Sequence, residues 1–193
     1  MSEPTATTNP ALADVDGLVA VLGEGGVLAH GEALGEVSAL VARERLTEAL
    51  AWLRDVAGYQ LLRSVTAVDY LTAAPRFHVV YHLLHLPAAI YHGDAAAQPE
   101  DPARAFRLKV GVPLEDPVVP SAVGLYPTAN YHEREVFDMF GIEFAGHPNL
   151  TRILMPPDFD GHPLRKDFPL RYEEIAFSFN QAEVYATKPR ARE

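Results

Sequence analysis

The stretch LLRSVTAVDYLTAAPRFHVVYHLLHL, Leu61–Leu86, decides the fold class of this chain. Its two halves, Leu61–Leu71 and Phe77–Leu86, are enriched in Val, Thr, Phe and Tyr, which favour strands, and Ala74-Pro75 interrupts them. The pattern predicts two strands joined as a hairpin, on which a larger sheet can be built.

Helical and strand patterns flank this hairpin on both sides. Leucines recur at i, i+4 and i+7 within Arg43–Val56, which predicts a helix, and a shorter helix is predicted to end at Gly23. Val37–Val41 is a brief strand candidate, and Phe106–Val112 alternates apolar and polar residues like a half-buried strand. Because strict βαβ alternation is missing, we expect an α+β fold, with a layer of helices on a mostly antiparallel sheet.

The chain is long enough for one ordinary core, so we expect one domain with tails. The predicted parts are a mobile N-terminal tail over residues 1–10, an α+β domain over 11–125, a signature region over 126–163, and an extended C-terminal tail over 164–193. Gly93–Pro102 is predicted to be a solvated loop. A short helix over Tyr131–Phe140 is expected in the signature region, and later prolines exclude long regular elements.

Composition excludes several functional classes. The formal net charge of −10 disfavours binding to nucleic acid or to anionic lipid. The chain has no cysteine, which excludes disulfides, thiolate zinc sites and cysteine-ligated iron–sulfur clusters. No apolar run approaches the roughly 20 residues that span a bilayer, so we expect a soluble, cytoplasmic protein without membrane insertion.

The charged residues of the predicted signature helix allow two interpretations. Glu133, Arg134, Glu135 and Asp138 could supply acid–base chemistry, since paired carboxylates beside an arginine can move protons. The favoured interpretation is structural: a charged helix face docked by the aromatic and aliphatic residues of the same helix.

Two Gly-His-Pro turns also carry candidate ligands. His147 and His162, together with nearby aspartates, could bind a metal in principle. Their spacing matches no known metal site, so each histidine is predicted to satisfy backbone groups at a tight turn. His78, His82 and His85 would converge on a helix, but they lie in a predicted strand, where His85 points away from the other two.

The end of the chain points to a partner. The run Leu164–Asp167 could bind phosphate through Arg165 and Lys166, but no glycine-rich loop accompanies it, so these two cations and Asp167 are interpreted as a charged rim around an interface. The segment after residue 164 holds too much apolar surface to leave in water and is too short for a core of its own. We therefore expect a partner protein to cover its aromatic anchors: Phe168, Tyr172, Phe177 and Phe179.

The run YHEREVFDMFGIEFAGHPNLTRILMPPDFDGHPLRKDFPL, Tyr131–Leu170, closely resembles the signature of the thirty-kilodalton subunit family of respiratory complex I, the C-type subunit of bacteria. It combines Glu133-Arg134-Glu135, Asp138, both Gly-His-Pro turns and the LRKDFPL ending in one ordered string. Ser64–Tyr70 and two neighbouring strands resemble the more variable N-terminal domain of that family. One departure is Thr151, where many members have a basic residue before the arginine matched by Arg152.

The resemblance implies a structural, non-catalytic subunit that binds no flavin, cluster or quinone itself. It implies that FMN and iron–sulfur clusters in sister subunits carry electrons from NADH to quinone while the complex pumps ions. The implied partners are chiefly the D-type subunit, of 49 kDa type, and also the B-type subunit, in a hetero-oligomer on the cytoplasmic side of the cell membrane. Two alternatives stay open: the equivalent subunit of a membrane-bound hydrogenase complex, and a free-standing metal-dependent hydrolase using His147 and His162.

Overall fold

The computed structural model describes residues 9–87, 102–169 and Ala186 of the chain. The described elements are helices α1 (Ala11–Leu22), α2 (Leu46–Asp55) and α3 (Ala129–Phe140), and strands β1 (Val27–Ala33), β2 (Glu36–Val41), β3 (Leu61–Asp69), β4 (Phe77–His85), β5 (Arg104–Val112), β6 (Val118–Pro120) and β7 (Glu143–Ala145). The predicted α+β class is confirmed.

Five of the strands form one sheet in the order β1-β2-β5-β4-β3. The predicted hairpin is confirmed, because β3 and β4 pair antiparallel from Leu61 opposite Leu84 to Asp69 opposite Phe77. β1 with β2 and β4 with β5 are antiparallel as well, whereas β2 and β5 run parallel. The sheet is therefore mixed but mostly antiparallel, as expected.

One face of this sheet carries the core. Alternate side chains of β4 and β5, such as Tyr81 and Leu108, are fully buried on this face, and α1 and α2 contribute Leu18 and Leu50. Helix α1 presents residues at helical spacing to the core and ends at Gly23, whose φ of 71° is a backbone conformation that glycine adopts without strain.

Two features near the N-terminus differ from the sequence-based expectation. Strand β1 was not predicted, because Val27–Ala33 is an almost wholly exposed edge strand containing Ala and Gly, and so has no alternating apolar pattern. The predicted helix over Arg43–Val56 begins as a 3-10 turn, Arg43–Arg45, and becomes α-helical at Leu46.

The core continues into the predicted signature region. Strands β6 and β7 pair in parallel, and Val119 and Phe144 from this pair belong to the same apolar cluster as the main sheet. Val136 and Ile142 also belong to it. The predicted boundary at residue 125 therefore does not divide the core.

Some predictions fall on other parts of the chain. Residues 1–8, nearly all of the Gly93–Pro102 loop and the tail aromatics Tyr172, Phe177 and Phe179 lie outside the described residues. Within the described part, no helix combines the length and hydropathy that crossing a membrane requires.

Candidate functional site

The buried carboxylate of Asp138, near the end of α3, organises the loop that follows β7. Its Oδ2 accepts hydrogen bonds from the backbone N–H groups of Ile153 (3.1 Å), Leu154 (2.8 Å) and Met155 (2.9 Å). Its Oδ1 lies 3.3 Å from Nη1 of Arg152. Burial favours the neutral acid, but these donors outweigh burial and lower the pKa of Asp138 below its usual value. The side chain is thus an ionised clamp on the loop.

A second buried carboxylate, Glu133, fixes the segment that leads into α3. Ser121 donates its hydroxyl to one oxygen at 2.7 Å, and the N–H of Ala122 donates to the other at 2.6 Å. Burial raises the pKa of Glu133 in spite of these two donors and the nearby His147. Glu133 therefore joins the β6–α3 connection to the helix rather than facing solvent.

The prediction of a charged helix face is therefore wrong for the two carboxylates. Glu133 and Asp138 are both 0% exposed, because backbone N–H groups distant in sequence supply their partners. Arg134 does not pair with Asp138 one turn later. It donates instead to the carbonyl oxygen and hydroxyl of Thr151, both at 3.0 Å. Glu135 is the exposed member of the group.

The two turn histidines hold the two ends of α3, whereas the sequence predicted only that each would bind backbone groups at a tight turn. His147 accepts the N–H of Asn149 at Nδ1, so its Nε2 carries the proton and donates to the carbonyl of Asn130 at 3.1 Å. His162 donates from Nδ1 to the carbonyl of Asp138 at 2.9 Å. Gly146 and Gly161, the first residues of the turns, have φ of 84° and 87°.

All four carbonyls that an α-helix leaves unpaired at its end are satisfied in α3. The carbonyl of Phe137 accepts from the N–H of Gly141, and that of Asp138 accepts from His162. The carbonyl of Met139 accepts from the N–H of Leu164, and that of Phe140 accepts from Nε of Arg165. Residues 162–165 thus form the cap of this helix.

Arg165 and Asp167 make contacts within the chain, and their contacts at a partner's rim stay a prediction. The guanidinium of Arg165 also lies over the ring of Phe77, 5.4 Å from its centroid. Asp167 forms an ion pair with Arg76 at 2.7 Å, and Arg76 forms a second, buried one with Asp69 at 2.8 Å.

The pair Asp69 and Arg76, at the turn end of the β3–β4 hairpin, is part of the site that the sequence reasoning missed. Oδ2 of Asp69 also accepts the backbone N–H of Lys166 at 2.8 Å. Arg76 first, and then the N–H groups of Lys166 and Leu71, lower the pKa of Asp69 far below its usual range despite burial. An aspartate at the core-facing end of an apolar strand was the available signal.

The predicted site residues therefore gather in two places. Those around α3 are Glu133, Arg134, Asp138, His147, Arg152 and His162, while Arg165 and Asp167 lie beside the hairpin end. Phe168 stacks on Phe159 with ring centroids 5.9 Å apart. Lys166 is exposed.

No group of three or more His, Asp or Glu side chains in the described residues is arranged to hold a metal ion. The imidazoles suggested for a hydrolase are instead engaged with backbone atoms, at Asn130 and Asn149 for His147 and at Asp138 for His162. The arrangement is suited to fixing a loop, and its charged groups do not face a common cleft.

This loop exposes three aliphatic side chains. Ile153, Leu154 and Leu164 are 36%, 56% and 53% exposed, and the backbone N–H groups of the first two are bound by Asp138. We call these three side chains the apolar patch. Neighbouring exposed aliphatic side chains, unlike single ones, are candidates for a contact surface.

Comparison with known proteins identifies the family of this chain. The family model described as the 30 kDa subunit of respiratory-chain NADH dehydrogenase matches residues 39–174. The chain belongs to this family. The C-type subunit of NADH-quinone oxidoreductase from Roseiflexus sp. (strain RS-1) is 48% identical over 169 residues, covering 86% of this chain and 89% of the relative. The same subunit from Herpetosiphon aurantiacus is 44% identical, covering 84% and 88%.

Two solved structures are similar to this chain. A trypsin-resistant fragment (1–134) of Nqo5 superposes with a TM-score of 0.58 at 33% identity, covering 72% of this chain and 98% of the fragment. A chain from a membrane-bound sulfane sulfur reductase, an archaeal respiratory membrane complex, gives a TM-score of 0.66 at 21% identity, covering 95% of both chains. The second likeness concerns the fold alone.

Proposed function

We propose that this chain is a structural subunit of the peripheral arm of a proton-translocating NADH:quinone oxidoreductase, where it scaffolds the quinone-site subunits. Its partners are chiefly the D-type (49 kDa-type) subunit and, secondarily, the B-type subunit, on the cytoplasmic side of the cell membrane. Electrons pass from NADH through FMN and iron–sulfur clusters in sister subunits to quinone. The chain itself holds no cofactor and catalyses no step.

The observation that carries this proposal is the use of the signature's charged groups inside the chain. Asp138, Glu133 and Arg134 bind backbone atoms of neighbouring loops, and both carboxylates are inaccessible. A general acid or base must reach a substrate proton, which a carboxylate enclosed by its own N–H donors does not. A loop held by such a clamp is instead a pre-organised binding element, because little backbone freedom remains to be lost on association.

The apolar patch is the proposed contact surface of this element. Leu154 and Leu164 expose 56% and 53% of their area, and aliphatic side chains on a rigid backbone gain free energy when a partner removes them from water. Relatives named as the C-type subunit of an NADH-quinone oxidoreductase make a sister subunit the expected partner.

Placing a charge in the patch tests this proposal. Leu154→Asp should lower the amount of the subunit recovered in the purified complex, and the NADH:quinone activity of the membranes, by at least about tenfold, since a buried unpaired carboxylate opposes docking. The strain should lack the native gene and carry the variant in its place.

Leu28→Asp is the matched control. Leu28 is 59% exposed, close to the 56% of Leu154, but it lies on edge strand β1 rather than on the clamped loop. The control should assemble normally. If Leu154→Asp also assembles normally while remaining folded, the patch is not the contact surface.

Truncation tests the aromatic tail separately. Removal of residues 170–193 deletes the predicted anchors Tyr172, Phe177 and Phe179 but keeps the α3 cap and the Arg76–Asp167 ion pair. We expect a folded chain that no longer joins the complex. Normal assembly of this truncated chain would refute the proposed role of the tail.

A further inference from the structure

The face of the five-stranded sheet opposite the core is a second surface of distinct chemistry. Registers across β2, β5, β4 and β3 place its side chains in two neighbouring rows: Ser38, Arg107, His82 and Ser64 in one, and Leu40, Lys109, Val80 and Thr66 in the other. We call this surface the open sheet face. In the described residues, the core-forming helices contribute to the opposite face.

This face is basic although the chain is acidic. Arg107 and Lys109 stand on it, and Arg63 lies beside His82 at the bulge in β3. Glu36 is the one carboxylate on the described strands of this face and forms an ion pair with Arg107. Three cations against one carboxylate leave a local excess of positive charge on a chain whose formal net charge is −10.

The pKa values of the two histidines on this face are lowered, in part by the same positive charges. Burial and the charge of Lys109 lower the pKa of His78. Burial and Arg107 lower the pKa of His82, with further lowering by Arg63 and Lys109 that Glu36 only partly offsets. Both imidazoles are half-buried, and no hydrogen-bond partner for either is found within the described residues.

The face also offers apolar area between its charges. Leu40 and Leu84 are half-buried, Val68 is 37% exposed, and Val80, the cross-strand neighbour of Thr66 and Lys109, is buried. A flat surface that alternates cations with aliphatic side chains complements a folded protein surface bearing carboxylates. A bilayer is less suitable, because an extended plane of anionic headgroups would also face and repel the acidic remainder of the chain.

We propose that the open sheet face docks an acidic surface of a sister subunit, through carboxylates that meet Arg63, Arg107 and Lys109. This inference rests on the proposed function and adds a second interface to it, on the opposite side of the sheet from the core. Electrostatic complementarity of this kind steers association and fixes orientation, while the apolar patch supplies area.

Charge reversal in the full complex tests the inference. Arg63→Glu combined with Lys109→Glu should reduce incorporation of the subunit at physiological salt by about tenfold, because like charges would then meet at the interface. The matched control is Arg63→Lys with Lys109→Arg, which keeps both charges and should incorporate like the native chain. Both substituted residues lie outside the core, and circular dichroism of the two purified double variants checks that each is folded.

A photo-crosslinking residue at Thr66, which is exposed on edge strand β3 of this face, identifies what covers it. The inference predicts a crosslink to an Asp- or Glu-bearing segment of one sister subunit in the assembled complex. Crosslinks to lipid, to a second copy of this chain or to its own residues, or a face that stays unlinked while the reversed variant assembles normally, would overturn it. A native chain that is absent from the complex would instead refute the proposed function itself.

Discussion

The main sheet and the signature loop of this protein are stabilised by different means. The sheet is held by a large apolar core, in which Tyr81, Leu108 and Leu50 are essentially inaccessible and no single contact dominates. The loop over residues 151–165 contributes little to that core and is held by a few charge-assisted hydrogen bonds to Asp138, Arg134 and Arg165. Loss of one such side chain should therefore release the loop while the sheet stays folded.

The largest expected effect is that of Asp138→Asn. The amide lacks the charge that Arg152 and three N–H groups share, so the variant should lose about 3 kcal/mol of stabilisation, concentrated in the loop. Hydrogen exchange of the amides of Ile153–Met155 should accelerate by about two orders of magnitude, while amides of β4 change little.

Glu135→Gln supplies the control for this comparison. Glu135 is exposed on the same helix, so its substitution should change the free energy of unfolding by less than about 0.5 kcal/mol. If Asp138→Asn instead destabilises β4 as much as the loop, the two regions unfold together and the contrast between them fails.

The next largest effect is the loss of the stabilisation by carboxylates as the pH is lowered. The pKa values of three aspartates, Asp138, Asp69 and Asp167, are lowered in the folded chain. At pH values between the folded and the unfolded pKa, the unfolded chain therefore binds more protons than the folded chain. Their stabilisation is fully present above the unfolded value of 3.8 and is lost as pH falls through the lower folded values. Glu133 has a raised pKa and acts in the opposite sense, losing its contribution as pH rises from 4.5 through its folded value.

Urea unfolding between pH 6 and pH 2 measures this response. The difference in unfolding free energy between the native chain and Asp138→Asn should begin to shrink below pH 3.8 and continue to shrink as pH falls through the lowered pKa of Asp138, because a protonated Asp138 resembles the amide. A difference that stays constant with pH would mean that the charge of Asp138 does not carry the clamp.

The sequence predicted those parts of the molecule whose cause is local. Gly-His-Pro restricts its own backbone, so the two turns followed from three residues each. The carbonyls that His147 and His162 bind lie 17 and 24 positions earlier in the chain and did not follow from the tripeptides. The alternation of β5 and the spacing in α1 likewise express burial on one side of an element. Edge strand β1 has no such pattern because it buries almost nothing.

The burial of the signature's charges depends on tertiary structure. The positions of residues 121, 122 and 153–155 in the folded chain decide whether a carboxylate in α3 faces water or N–H groups of a loop. The spacing of residues within the helix does not encode these positions. The network of Asp69, Arg76 and Asp167 joins groups separated by as many as 98 positions along the printed sequence. Such pairs are evident only once the hairpin and the α3 cap have been placed together.

The smallest expected effect concerns the core and has the opposite sign. The hydroxyl of Tyr81 is buried and finds no hydrogen-bond partner among the described residues, in contrast to the fully partnered polar groups of the loop. An unsatisfied buried hydroxyl opposes folding, so Tyr81→Phe should leave the free energy of unfolding unchanged or raise it by up to about 1 kcal/mol. Urea unfolding at neutral pH measures this change. A loss of more than about 1 kcal/mol of unfolding free energy would indicate that the hydroxyl binds an internal water. The core would then also depend on a polar contact, and the two regions would differ less in how they are stabilised.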